Sequence, residues 1–563
     1  MVRQYPLMLT LLLLLVGVAG FLTLRGLGFW RDSDVGQVRP LPKGDQEIAV
    51  LLPATNTEGW ERFVSALRLL AEEWGNVHDR TLPLRISTEN AFLPRSVDVS
   101  ELALSMAASE NKLWIRWYKL SGLNDARRWI TLLHQRTTAP LAIIGGDTTD
   151  RALDVATVLK EFEPSWAPRT PPLFLITTAT ADRYLPREKA IEPNAVAKYP
   201  YAEWPKLMSL YPGRSFRYSF TNNRMAEAVL DFLRAHPEVW LERDRAQTAA
   251  QLTQAILGMF ALPYPLAVMG EPGPLRPSFT MSTLWWRDDG YSRDMSESFS
   301  MSFRDMTGPN NTNLRVLDVS EVEYSVGDFY NPNPRERSMI TLFIDQQHDA
   351  AERPPQLLVL PTGAQRVRRV VRDLCRQAPA SARRLVIANG DAISFNTVFR
   401  DRDLAWNILD LPVPLVFFSH RNPISRSAGF DPSNPKALTS TQDLLFYRDL
   451  LESICHAAFD RSNLLADSDA MRRRLEKTLW HQHRVRNRIV NESVQEALDF
   501  FDAEGNRKPG TGEFICWLAP HVSGPRNLDE ASLSAWYYDA TKNHPSWKLL
   551  RDPLPLTYNR IVP

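Results

Sequence analysis

One pattern recurs along this chain and constrains its fold more than any other. A short apolar run ends in a small or polar turn, and a stretch with helical spacing follows. It appears in LAIIGGDTTDRALDVATVL (Leu141–Leu159), in LWWRDDGYSRDM (Leu284–Met295) and in PPQLLVLPTGAQRVRRVVRDL (Pro354–Leu374). PPLFLITTATADRYL (Pro171–Leu185) adds a further apolar run and polar turn, and FFDAEGNR (Phe500–Arg507) a tight turn near the end. An apolar run feeding a helix through such a turn is the sequence form of a βα unit in a parallel sheet. The carboxyl edge of an open parallel sheet is where ligands bind.

The 563 residues exceed one ordinary core and suit two or more packed units. IAVLLP (Ile48–Pro53) opens the globular part and runs into WERFVSALRLLAEEW (Trp60–Trp74), where Phe63, Leu67 and Leu70 share a helical face. LWIRWYKL, LAIIGG and LFLITT complete a first βαβ lobe. FRYSFTNNRMAEAVLDFLRAH (Phe216–His236) begins a second, continued by FTMSTLWWR, LRVLDVS, QLLVLP and RRLVIANG. LPVPLVFFSH (Leu411–His420) is expected to return the chain to lobe 1, where Thr441–Asp460 reads as a helix. The expected division is an anchor at 1–31, a linker at 32–46, lobe 1 at 47–217 plus 413–495, lobe 2 at 218–412 plus 496–522, and an extension at 523–563. The crossings are expected near Phe216–Phe220, Val413–Ser419 and Asn491–Phe501. Residues 182–211, 241–277 and the tail after Ser523 fit no repeat of this scheme and read as insertions or decoration.

Pro6–Leu24 is uncharged and long enough to span a bilayer as a helix. Ala19-Gly20-Phe21 matches a signal-peptidase site poorly, so the segment reads as a retained anchor with the globular part outside. Net charge is +1, from 66 basic and 65 acidic residues, which gives no electrostatic reason to expect nucleic acid. The three cysteines, Cys375, Cys455 and Cys516, cannot all pair within one chain and read as buried thiols. No Cys/His ligand spacing is present, so neither a metal nor a cofactor is expected.

In order and spacing, these motifs resemble the type I periplasmic-binding-protein fold, in particular the branched-chain amino-acid receptors of ABC transporters. The resemblance covers roughly Gln46–Val522. It is carried by the "LLP" strand and long helix (Ile48–Trp74), the "GG-(S/T)" helix start (Gly145–Thr149) and the "xIS-xAT" strand end (Ile176–Thr180). Phe216-Arg217, the "DDpYG" turn (Asp288–Ser292) and the "FDaxGNR" hairpin (Phe501–Arg507) complete it. It implies two Rossmann-like α/β lobes with parallel sheets, joined by three crossovers, closing on an amino-acid-like solute, with an ABC permease as a possible partner.

Carried over residue by residue, the resemblance puts a ligand carboxylate against Thr148 or Thr149 and against Thr178 and Thr180. Helix amino termini present unpaired N–H groups that suit an anion, although Thr148 or Thr149 could equally just cap the helix. In lobe 2 it puts Tyr291 beside the ligand and Asp391 near its ammonium; Asn389-Gly390-Asp391 also reads as a plain strand-ending turn. Pro361-Thr362-Gly363 lacks the second ring the family carries, which departs from branched-chain selectivity. Trp60, Trp285 and Trp286 could line a cleft or sit in the core.

Two other classes compete. A surface-anchored α/β enzyme, a metal-dependent glycosyltransferase or hydrolase, would use Asp288, Asp289 or Asp401 with a metal. The triplets Asp401-Arg402-Asp403 and Asp467-Ser468-Asp469 have the required DxD form, but neither directly follows an apolar strand. His481-Gln482-His483 reads as part of a solvated basic helix face, and no GxSxG elbow, P-loop or GxGxxG fingerprint occurs. The third reading is a degenerate binding fold acting as an interaction scaffold.

Overall fold

The computed structural model describes residues 37–557 apart from 78–83, 107–110, 123, 186–188, 190–197, 241–278, 287–289, 308–313, 319–355, 378–384, 401–412, 426–440, 460–464, 466, 482–496, 511, 521–529 and 540–545. The anchor Pro6–Leu24, the insertion 241–277 and Asp288, Asp289 and Asp401 lie outside the described residues. Among the described residues no helix is long and apolar enough to cross a membrane.

Two sheets organise the chain. The first contains β1 (Gln46–Pro53), β2 (Leu84–Ser87), β3 (Ser100–Met106), β4 (Leu113–Leu120), β5 (Ala142–Gly145), β6 (Leu173–Ile176) and β7 (Ser215–Arg217). Their order is β2-β3-β4-β1-β5-β6-β7, with β4-β1-β5-β6-β7 all parallel and β2 and β3 antiparallel at one edge. β1 is central, and its successive side chains alternate between two cores. Ile48, Val50 and Leu52 pack with the helices on one face, Ala49 and Leu51 with those on the other. A strand covered on both faces reads as an unbroken apolar run, which is why IAVLL stood out. Helices α1 (Thr57–Val77), α2 (Ala126–His134) and α3 (Thr149–Phe162) cover this sheet. The side chains of Asp125 and Thr148 cap α2 and α3 by accepting from Arg128 N and Arg151 N.

Helix α4 (Asn222–Ala235) opens the second lobe, capped by Thr221. The second sheet begins with β8 (Thr280–Trp285), β9 (Leu314–Asp318), β10 (Gln356–Val359), β11 (Leu385–Asn389) and β12 (Leu415–Ser419), all parallel in the order β12-β11-β10-β8-β9. It shows the same alternation, with Leu358 and Leu360 on one face and Leu357 and Val359 on the other. Helices α5 (Gly290–Thr307), α6 (Ala364–Gln377) and α7 (Phe395–Arg400) follow β8, β10 and β11. The chain then returns to lobe 1 through α8 (Thr441–Ala458), packed beside α1, and α9 (Ser468–Leu475). A two-stranded ribbon comes next, β13 (Leu479–His481) with β14 (Ala497–Asp499).

Three expectations are corrected. Residues 413–419, expected in lobe 1, form β12 of the second sheet, because Val416 and Phe417 bury themselves on opposite faces of that sheet. Phe500 and Phe501, expected to cross into lobe 2, belong to the core of lobe 1 beside Phe216 and Tyr218. The tail after Ser523 is no decoration. With β15 (Phe514–Pro520), the strands β16 (Glu530–Asp539), β17 (Ser546–Leu549) and β18 (Leu554–Thr557) extend the second sheet in antiparallel fashion from β12. The first crossing therefore falls at 218–221 and the third between Arg507 and Glu513, while the second leaves β12 at His420, with Ile424 still in the core of lobe 2 and residues 426–440 outside the described residues.

Arg507 joins all three. Its guanidinium donates to the carbonyls of Tyr218 and His420, at 3.4 and 3.3 Å, and to that of Gly512 at 3.4 Å. It also lies 3.9 Å from the Phe220 ring centroid. Cys455 and Cys516 are buried, and neither forms a disulfide among the described residues.

Candidate functional site

The carboxyl ends of both sheets face one another across a cavity of about 900 Å³. Its walls come from the turns after β5, β6, β8, β10, β11 and β12 and from the start of α8. All six residues singled out in the sequence line it: Thr148, Thr149, Thr178 and Thr180 from lobe 1, Tyr291 and Asp391 from lobe 2.

Local geometry explains their positions. Gly145 ends β5 and Gly146 turns the chain at φ +71°, where a Cβ would meet that of Ala152 at 2.9 Å. Only glycine makes this turn without strain, and it presents Asp147, Thr148 and Thr149 at the helix start. The Thr148 hydroxyl accepts from Arg151 N at 3.4 Å, so its first role is the cap. The Thr178 hydroxyl donates to the Asp147 carbonyl at 3.0 Å. Thr149 and Thr180 are buried, and the Thr180 carbonyl accepts from Asn222 N at the first crossing.

Across the gap, Tyr291 occupies the first turn of α5. Its hydroxyl reaches over Gly390, where a Cβ would come within 2.6 Å of it, so the glycine of Asn389-Gly390-Asp391 leaves the room the tyrosine fills. Asp391 accepts from His420 Nε2 at 2.9 Å. The other ring nitrogen, Nδ1, accepts from Phe220 N–H at 3.2 Å. That bond fixes the tautomer with the proton on Nε2 and ties Asp391 to two crossings. Asp391 therefore meets the cavity already holding a partner, which the sequence did not foretell.

Several lining residues escaped the sequence reading: Asp147, Asp150, His420, Gln442, Asp443 and Phe446. Asp147 was in view in GGDTT, and an acid just ahead of a helix cap at a strand end is the signal that would have found it. Its Oδ2 pairs with Arg151 Nη1 at 2.7 Å, while its Oδ1 is buried with no hydrogen-bond partner among the described residues. Burial holds its carboxyl above the ordinary range, with Arg151 pulling the other way. Asp443 pairs with Arg62 at 2.9 Å. Asp150 Oδ1 lies 3.9 Å from where a Cβ on Gly290 would stand, so the two lobes approach closely there. Gly363, where the family carries a ring, has nothing within 4 Å of a built Cβ and leaves that wall open.

Both tryptophans that can be placed belong to the core. Trp60 stacks on Phe63 and Trp117 and donates to the Ala91 carbonyl, and Trp286 is fully buried. The side chain of Trp285 lies outside the described residues. Asp467 caps α9 and Asp469 pairs with Arg214, so that DxD triplet is structural. No group of three or more metal-ligating side chains occurs among the described residues.

Two parallel-rich sheets, three crossings and a cavity at the strand carboxyl ends together make a mixed α/β, two-lobe periplasmic-binding fold. No family profile and no curated protein matches the chain. Among solved structures, it is similar to a leucine-binding protein from Thermotoga maritima, at 12% identity, covering 89% of this chain and 97% of that one, with a TM-score of 0.42. It is also similar to a leucine-, isoleucine-, valine-, threonine- and alanine-binding protein from Brucella ovis, at 9% identity, 91% and 95% coverage and a TM-score of 0.45. A solute-binding protein of an ABC transporter from R. palustris, in complex with benzoate, shows 10% identity, 91% and 98% coverage and a TM-score of 0.42.

Proposed function

We propose that this chain is a membrane-anchored, extracytoplasmic receptor that closes its two lobes on a small, amino-acid-like solute, for transport or for sensing. The observation that carries the reading is the cavity itself: it lies at the carboxyl ends of both sheets and draws its walls from both lobes. A site split between two bodies gains contacts on closure, and only a few residues at the crossings need absorb the movement. Among the described lining residues no constellation for chemistry occurs. His420, the one histidine among the described lining residues, has a ring nitrogen on a backbone amide and the other on Asp391, which suits a brace rather than a base. The protein is therefore read as a binding protein and not an enzyme. Anchoring by Pro6–Leu24 would keep it at the outer face of the cell membrane, where an ABC permease is the partner that would accept a released solute.

The test is small-angle scattering of the full chain in detergent, with and without a panel of amino acids and amines. The expected result is a saturable contraction with at least one compound. A radius of gyration unmoved by every compound, with no heat of binding, would refute the receptor reading and favour the scaffold.

A further inference from the structure

The cavity of this proposed receptor is unevenly charged. Among the described residues four carboxylates line it, those of Asp147, Asp150, Asp391 and Asp443, against the one guanidinium of Arg151. Partners within the fold account for part of this, namely Arg151 for Asp147, Arg62 for Asp443 and the neutral donor His420 for Asp391. Two acceptors remain. Among the described residues Asp147 Oδ1 is buried beside the cavity without a hydrogen-bond partner, and Asp150 is exposed at the first turn of α3. A buried, unpartnered carboxylate oxygen costs free energy until a donor reaches it.

The anion half of a zwitterion is poorly served at the same place. The Thr178 hydroxyl already gives its proton to the Asp147 carbonyl, and Thr148 Oγ1 accepts from the backbone. Asp147 and Asp150 flank the amino terminus of α3, so a ligand carboxylate approaching those amides meets two negative charges.

We infer that the cleft selects a solute with net positive charge, such as a diamine or a basic amino acid, and that Asp147 is the residue that reads this charge. The inference rests on the receptor reading above. Phe446 and the Tyr291 ring can flank the carbon chain of such a solute, and the open wall at Gly363 gives it length.

The experiment is titration calorimetry of the full chain in detergent with putrescine, L-lysine, L-leucine and benzoate, each at the same concentration. Putrescine or L-lysine is expected to bind and L-leucine and benzoate are not. Asp147→Asn should weaken the cation roughly tenfold or more, the usual loss for one charged hydrogen bond. Unliganded melting temperatures check that the variant folds; if it does not, Asp150→Asn, at an exposed position, carries the same expectation in weaker form. Binding of L-leucine or benzoate but of neither cation overturns the charge inference and leaves the receptor standing. Cation binding untouched by the variants overturns the role of Asp147. No heat from any of the four overturns the receptor reading as well.

Discussion

Asp294 offers the sharpest test of how the lobes are held. It sits on α5 of lobe 2, fully buried, and its carboxylate accepts four hydrogen bonds. Asp182 N (3.1 Å) and Arg183 N (3.0 Å) come from the segment after β6 in lobe 1, Tyr201 Oη (2.7 Å) from the insertion on the same lobe, and Asn222 Nδ2 (2.8 Å) from the first crossing. Burial, and then the like charge of Asp182, push its carboxyl up to about 7, while the hydrogen bonds pull it down. Arg217 is the buried cation facing the pair, 3.5 Å from Asp182, and Lys206 acts on Asp182 from the insertion. Between the ordinary carboxylate range and about 7, the folded protein holds a proton that the unfolded chain has lost. The stability this group contributes is therefore full at low pH and is lost as pH rises through about 7. The window spans roughly three pH units at about 1.4 kcal/mol each, an upper bound on the order of 4 kcal/mol shared with Asp182. Asp294→Ala strands the four donors. At pH 5 the expected loss is about 3–5 kcal/mol, the usual effect of removing one member of a buried polar set. At pH 8 it should be smaller, because the variant also removes a costly buried charge. Urea denaturation of wild type and variant at both pH values reads the effect. A loss below about 1 kcal/mol at pH 5, or an equal or larger loss at pH 8, would refute the reasoning.

Three further outcomes are expected. Glu513→Gln breaks the two-point ion pair that the fully buried Glu513 makes with Arg224, at 2.7 and 2.8 Å, and should cost roughly 3 kcal/mol by denaturation, since Arg224 keeps Glu227. Gly505→Ala should lower the melting temperature by several degrees, on the order of 2 kcal/mol, because Gly505 has φ +85° and its Cβ would collide with the Ser215 carbonyl. Amine binding should weaken as pH falls, since burial already raises the Asp147 carboxyl and its protonated form no longer attracts a cation; calorimetry at pH 8 and pH 5 measures it.

The parallel strands β1, β5, β6, β10 and β11 were legible because each is buried on two faces and reads as a largely apolar run. β12 was equally visible as a strand, yet its sheet was misassigned, since a run such as LVFF records burial and not neighbours. β16 to β18 were lost for a related reason. EASLSAWYYD carries an alternating pattern, but its partners are set by antiparallel pairing back to β15, which periodicity within one segment does not encode. At the cavity, the hydroxyls and turns at strand ends were found because strand ends carry their own punctuation. Phe446 and Asp443 were not, since they reach the cleft only through the way α8 docks. His420 was hidden because it looked like the end of a strand, and only the meeting of two crossings gives it a task.

The place where the chain enters lobe 1 has a mechanical meaning. Arg116 and Arg136 both donate to the Arg39 carbonyl and both pair with the buried Glu47, while Asp45 accepts from Lys112 N and the Trp114 indole. These bonds rivet residues 39–47 to the amino end of β1, the edge of the sheet away from the cavity. A tug on residue 39 is thus delivered to the base of lobe 1, at the end of β1 away from the cavity. Lobe 2 is held to lobe 1 by the three crossings and by the bonds to Asp294 from Asp182, Arg183 and Tyr201, all of them remote from residues 39–47.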